Sequence, residues 1–144
     1  MENYTINEVA MMTGLTTRTL RNYIKLGILK GEKMDGIWKF SAEDISEFIS
    51  NPAVKPSIQA KNKSLVFDFL ALDSKKTNEI CTILDLYVEK EESEEICSFF
   101  CNKINGCEGT KIHFNYERNG KNTRIILSGY EDVVMDLLNA YYDR

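Results

Sequence analysis

Several things are scarce in this chain, and each scarcity removes a class of protein. No apolar run approaches the roughly 20 residues that a membrane-spanning helix needs, and the start, Met1-Glu2-Asn3-Tyr4, lacks the basic-then-apolar pattern of a secretion signal. A cytoplasmic protein without membrane contact is expected. There is one histidine, His113, with no sequence link to the four cysteines Cys81, Cys97, Cys101 and Cys107. Cys97 and Cys101 are spaced one helical turn apart, with Cys107 six residues on, a spacing that could hold a soft metal or form a redox switch. Both Cys97 and Cys101 also fall on an apolar stripe, so reduced, buried thiols and no metal are expected. A phosphate-binding glycine loop, an HExxH pair and a nucleophile triad are all missing, which points away from an enzyme and from any cofactor. Prolines number two, Pro52 and Pro56, and a boundary is expected where they cluster. Internal repeats and low-complexity segments are absent.

What is present fits a folded protein. The 144 residues, 43% apolar and 28% charged, suffice for one ordinary domain or two small ones. The formal charge of −4 is unevenly spread: residues 1–50 carry −1, residues 51–63 carry +3 and residues 64–144 carry −6. Residues 16–39 alone hold six cations against two anions, for a local net of +4. A nucleic-acid surface needs only such a local patch, so the acidic total excludes nothing.

The first 50 residues are punctuated like a helix-turn-helix. Thr5 followed by Glu8 has the spacing of a capping box, predicting a helix over about Ile6–Met12. Gly14 suits the left-handed residue that ends it, and Thr16 or Thr17 can cap the next helix. Gly27 stops that second helix. Ile28-Leu29-Lys30 and Ile37-Trp38-Lys39-Phe40 flank a polar stretch, Gly31 to Gly36, and predict a two-stranded wing. Ser41 with Asp44 caps a third helix over about Ala42–Ile49, whose Ile45, Phe48 and Ile49 close a core with Val9, Leu20 and Trp38.

The second helix carries the functional signal. Arg18, Arg21, Asn22 and Lys25 fall at i, i+3, i+4 and i+7 and so share one face, with Leu20, Tyr23 and Ile24 on the other. A helix that buries Leu20 and Ile24 presents two guanidiniums, an amide and an ammonium outward, the chemistry used on phosphates and base edges.

Four blocks in order, Thr5-Ile6-Asn7-Glu8-Val9-Ala10, Thr17-Arg18-Thr19-Leu20-Arg21-Asn22-Tyr23, Gly27-Ile28-Leu29 and Phe40-Ser41-Ala42-Glu43-Asp44-Ile45, resemble the MerR-type winged helix-turn-helix of bacterial transcription regulators. The resemblance covers about a third of the chain. It implies that the second helix enters the major groove and the wing lies on flanking phosphates. By position it places Arg18 and Arg21 on phosphates or bases, Tyr23 at the helix–DNA boundary and Lys39 on the wing; Thr17, Asn22 and Lys25 complete the candidate DNA-binding set. Asn22 stands where typical MerR regulators have an aromatic residue, and Ile37-Trp38-Lys39 looks more like the wing of excisionase-type relatives, which bend DNA in recombination. The long coiled coil of typical MerR regulators is not found here.

After the prolines an α+β unit is expected. A helix over about Ser57–Leu72 places Ile58, Leu65, Phe69 and Leu72 on one stripe that packs on its own domain or on a twin chain. Residues 80–88 predict a buried strand, and Glu91–Ile104 a helix burying Ile96, Cys97, Phe100, Cys101 and Ile104. Acids from Glu89 to Glu95 suit that helix start. Asn119-Gly120 predicts a type I′ hairpin with Arg118 opposite Lys121, Tyr116 opposite Thr123, Phe114 opposite Ile125 and Ile112 opposite Leu127, and His113 facing outward. A final helix over about Tyr130–Tyr142 buries Val133, Val134, Leu137, Leu138 and Tyr141.

The resulting expectation is an α+β fold in three parts: a winged helix-turn-helix over 1–50, a linker over 51–63, and an α+β dimerisation or sensing domain with a β-hairpin over 64–144. Double-stranded DNA, a second copy of the chain and an unidentified small-molecule effector are the expected partners. The alternatives are an excisionase-like accessory protein and a protein-interaction or small-ligand sensor that keeps the winged fold without DNA affinity.

Overall fold

Thr5 starts the first helix by exchanging bonds with Glu8: its hydroxyl accepts from the Glu8 amide at 3.2 Å, and the Glu8 carboxylate accepts from the Thr5 amide at 2.8 Å. The structure, a computed structural model, describes residues 3–107 and 109–144; Met1 and Glu2, on which the expectation about a secretion signal partly rests, and Glu108 lie outside the described residues. A short strand β1 (Asn3–Tyr4) precedes α1 (Ile6–Thr13). Gly14 ends α1 with φ 77° and returns its amide to the Ala10 carbonyl, and Thr16 then caps α2 (Thr17–Lys25). Thr5→Ala should cost about 1 kcal/mol, the usual value of such a cap, read as a lower denaturant midpoint at unchanged slope.

Beyond Gly27 the chain departs from expectation. Ile28 and Leu29 both donate backbone bonds to the Tyr23 carbonyl, and Leu29 turns into the core. The hairpin instead pairs β2 (Glu32–Met34) with β3 (Ile37–Ser41). Asp35 and Gly36 form its two-residue turn, with φ 53° and 79°, the positive values that a type I′ turn demands at both positions. β1, which alternation in so short a segment does not signal, joins β3 to give the order β1-β3-β2. Ser41 and Asp44 make a second capping box at α3 (Ala42–Ser50). Val9, Leu20, Ile45, Phe48 and Ile49 are buried together, while Trp38 is half-buried and stacks on Phe40.

The proline cluster does not delay the next helix. α4 (Lys55–Ala71) begins two residues before the expected Ser57, because a first-turn proline lacks only an amide that would have no helical acceptor. There follow β4 (Glu79–Tyr87), α5 (Lys90–Asn105), β5 (Ile112–Asn119), β6 (Asn122–Tyr130) and α6 (Glu131–Tyr142). The antiparallel sheet has the order β4-β6-β5. β4 is thus an edge strand and only half-buried, with Ile83 and Tyr87 exposed, rather than the buried strand expected.

The β5–β6 hairpin is displaced from its predicted register by two residues. Asn119 pairs with Asn122, Arg118 with Thr123, Tyr116 with Ile125 and Phe114 with Leu127. The loop is therefore Gly120-Lys121, and only Gly120 has a positive φ, 59°. Glycine in the first loop position is the mark of a type II′ turn, which competes with type I′ for the same residues. A slip of two preserves the side-chain faces. Phe114, Tyr116, Ile125 and Leu127 therefore still pack on Phe100, Cys101, Leu137 and Tyr141, and His113 is exposed as expected.

One continuous core joins the first three helices to this sheet. Cys97 Sγ lies 3.8 Å from Met12 Sδ, and the Arg118 guanidinium donates to Ser46 Oγ at 2.6 Å. On the other face of the sheet, Asn62 of α4 donates to Glu117 and accepts from Asn115. Residues 51–63 form the turn and the opening of α4 that run between these contacts.

Candidate nucleic-acid interface

The orientation of α2 is fixed by what it buries. Leu20 is fully buried, Ile24 is half-buried, and the Tyr23 ring meets the Phe48 ring edge-on at 5.4 Å. These residues lock one side of the helix to α3, so Arg18, Arg21, Asn22 and Lys25 emerge together on the exposed side. Thr17, the first residue of α2, and Tyr23 are half-buried, with Tyr23 held on the core side.

Lys39 sits on the neighbouring hairpin rather than on the helix. It is half-buried, pairs across the strands with Glu32, and shares its face with Met34 and Ile37 at the tip, which are 47% and 57% exposed. The opposite face turns Trp38 and Phe40 inward, with Lys33 Nζ 5.9 Å from the Trp38 ring centre. Lys30 and Lys33 are exposed and add to the cationic surface. Both were counted in the local charge without a place at the interface, Lys30 because it closed the expected first strand and Lys33 because it fell in the expected loop.

The cations of this region are grouped on two adjacent elements, and their charge is not balanced by ion pairs among the described residues. The ion pairs among the described residues are Lys90–Glu43, Lys111–Glu79, Lys121–Glu89 and Arg124–Asp85. None uses a cation of α2 or of the β2–β3 hairpin. Arg18, Arg21, Lys25 and Lys39 thus carry charge that no carboxylate of the described chain neutralises within ion-pair distance, the state in which guanidinium and ammonium groups meet phosphates.

The other chemical candidates have structural explanations. Burial, then the neighbouring Cys101, pushes the Cys97 thiol well up, so it stays neutral and packed rather than nucleophilic. No grouping of three or more His, Cys, Asp or Glu that could hold a metal occurs among the described residues. Glu91 and Glu92 occupy the first turn of α5, where acids favour the helix dipole. Burial also pushes the Tyr116 hydroxyl up to about 12, and it bonds to Ser93 within the core at 2.8 Å. Among the described residues no helix is long and apolar enough to cross a membrane.

A protein-family model described as a helix-turn-helix domain matches residues 4–52. No curated protein and no solved structure matches the chain. The matched segment is the one built from α1, α2, the β1-β3-β2 sheet and α3, so the N-terminal third carries a helix-turn-helix domain. The remaining two thirds carries no such match.

Proposed function

We propose that the protein is a bacterial, cytoplasmic, sequence-specific transcriptional regulator of MerR-like type that acts as a homodimer. The observation that carries this reading is the row Arg18, Arg21, Asn22 and Lys25, exposed and without intramolecular ion pairs among the described residues, on the second helix of a helix-turn-helix. In this reading α2 enters the major groove and the β2–β3 hairpin is the wing, bringing Lys39 to flanking phosphates. Thr17 lies at the helix start and Tyr23 braces the helix from behind. Residues 1–50 are the DNA-binding domain, 51–63 the linker and 64–144 the dimerisation or sensing domain, whose acidic excess repels DNA and confines contact to the winged unit.

A single small module binds a half-site weakly, and a dimer supplies the second module at high effective concentration. Phe67 and Leu70, each 69% exposed on α4, are apolar surface that a second copy would cover. Sedimentation at micromolar concentration should therefore give the dimer mass; a monomer with and without DNA contradicts the assembly. An affinity that falls about 10³-fold or more between 50 and 200 mM salt is expected if roughly six to ten phosphates are contacted. Salt-independent binding is the contrary result.

A second reading, an excisionase-like recombination accessory protein, is favoured by the sequence Ile37-Trp38-Lys39 and by the apolar hairpin tip formed by Met34 and Ile37. Sharp bending of a bound duplex, seen as anomalous gel mobility, separates the two readings.

A further inference from the structure

The stripe of α4 that the sequence pairs with a core is packed at Ile58, whereas its C-terminal part lines an open cleft. Ile58 and Asn62 anchor the N-terminal half of α4. Beyond them Leu65, Phe69 and Leu72 line an open cleft of about 530 Å³, floored by Ile112, His113 and Ser128 of the hairpin. That volume lies within the roughly 300–1,000 Å³ of small-molecule sites. The third wall is α1, through Ala10, Met11 and Gly14. Packing there is close: a methyl group on Gly14 would lie 2.9 Å from Lys61 Cβ and 3.0 Å from Asn115 Nδ2.

The polar groups of the cleft select a charge. Three lysines, Lys61, Lys75 and Lys111, face two carboxylates, Asp68 and Glu79. Lys111 is paired with Glu79 at 2.9 Å, and Lys75 closes the end of α4 by donating to the carbonyls of Phe69 and Leu72. Neither Lys61 nor Lys75 has an ion-pair partner among the described residues, but Lys75 Nζ is held by those carbonyls and lies 4.0 Å from the Phe69 ring centre, which leaves Lys61, at the end of the cleft nearest α1, as the cation open to an anion. Asp68, two helical turns further on, disfavours a second negative group.

We propose that this cleft binds a small amphipathic monoanion, an apolar body carrying one carboxylate or sulfonate, with the anion on Lys61 and the body against Leu65, Phe69 and Leu72. Because Met11 and Gly14 form one wall, occupancy bears on the seating of α1 and hence of α2. That coupling rests on the DNA-binding reading; the binding itself does not.

The probe is 8-anilinonaphthalene-1-sulfonate, titrated into the full chain and followed by fluorescence. One saturable site per chain is expected. Lys61→Glu should weaken it about tenfold, and Leu65→Trp, which fills the cleft, should abolish it. Phe67→Ser with Leu70→Ser, on the opposite face of α4, should leave it unchanged. N-phenyl-1-naphthylamine, the same body without the sulfonate, should bind about tenfold more weakly. Circular dichroism and denaturant unfolding check that each variant is folded; if Leu65→Trp is not, Lys61→Glu and the neutral dye still decide. Equal binding by folded Lys61→Glu, or loss in the Phe67/Leu70 variant, overturns the proposal. Duplex retention on the same samples keeps the two readings apart. Dye binding without duplex binding leaves the cleft site standing and ends the coupling, whereas duplex binding without a saturable dye site ends the cleft proposal alone.

Discussion

Arg18→Ala and Arg21→Ala should each weaken operator binding by about 1–3 kcal/mol, roughly 5- to 150-fold, if they contact bases. The pair should lose more than either alone. Exact additivity is not expected, since the residues lie one turn apart on the same face of α2 and share one stretch of groove. Both side chains are exposed and neither forms an ion pair among the described residues, so the folded state should lose no more than about 0.5 kcal/mol. That separation of affinity from stability distinguishes an interface from a structural defect. Arg18→Lys and Arg21→Lys refine it: retained charge with lost bidentate geometry hurts base recognition more than phosphate contact. Titration of a labelled duplex at fixed salt reads the affinities, and thermal unfolding reads the stability. Wild-type affinity in the double variant overturns the assignment of α2.

Phe48→Ala should destabilise the protein by about 3–5 kcal/mol, as large-to-small changes of fully buried aromatics do. Against a typical total of about 5–15 kcal/mol this is a large fraction. The site is also mechanically placed. Phe48 stands on α3 and receives the Tyr23 ring edge-on, so it holds the buried side of α2 in position. A cavity there loosens the platform from which Arg18 and Arg21 project, and DNA affinity should fall even where the variant stays folded. Denaturant titration should show a lower midpoint at unchanged slope. A loss below about 1 kcal/mol would mean that the site collapses without a cavity, contrary to the packing described.

Features set by short-range chemistry were legible in the residues. Both capping boxes, the left-handed Gly14 and the spacing of the cations on α2 are where local rules put them, because each depends on neighbours within about one turn. The hairpins were harder. In the first, Asp35-Gly36 competed with a more apolar segment for the strand, and the turn geometry won while Leu29 went to the core. In the second, Asn119-Gly120 and Gly120-Lys121 are both acceptable loops, and alternation cannot choose between registers that differ by two. What no local pattern carries is how the helical region meets the sheet. Ser46 with Arg118, Met12 with Cys97 and Asn62 with Asn115 are partners 53 to 85 positions apart. For the same reason the stripe of Leu65, Phe69 and Leu72 read as a packing surface, and its facing an open cleft emerged only from the fold. The cationic row was visible; that the ion pairs of the described residues lie elsewhere was not.

The most direct test of a DNA-reading dimer is to incubate the purified chain with sheared genomic DNA from its source at moderate salt and sequence what it retains, beside the Arg18→Ala, Arg21→Ala double variant. Enrichment of a few two-fold related sites near promoters, lost in the variant, is the predicted result. Retention no different from the variant's would contradict the account and leave the helix-turn-helix as a scaffold for protein or ligand binding.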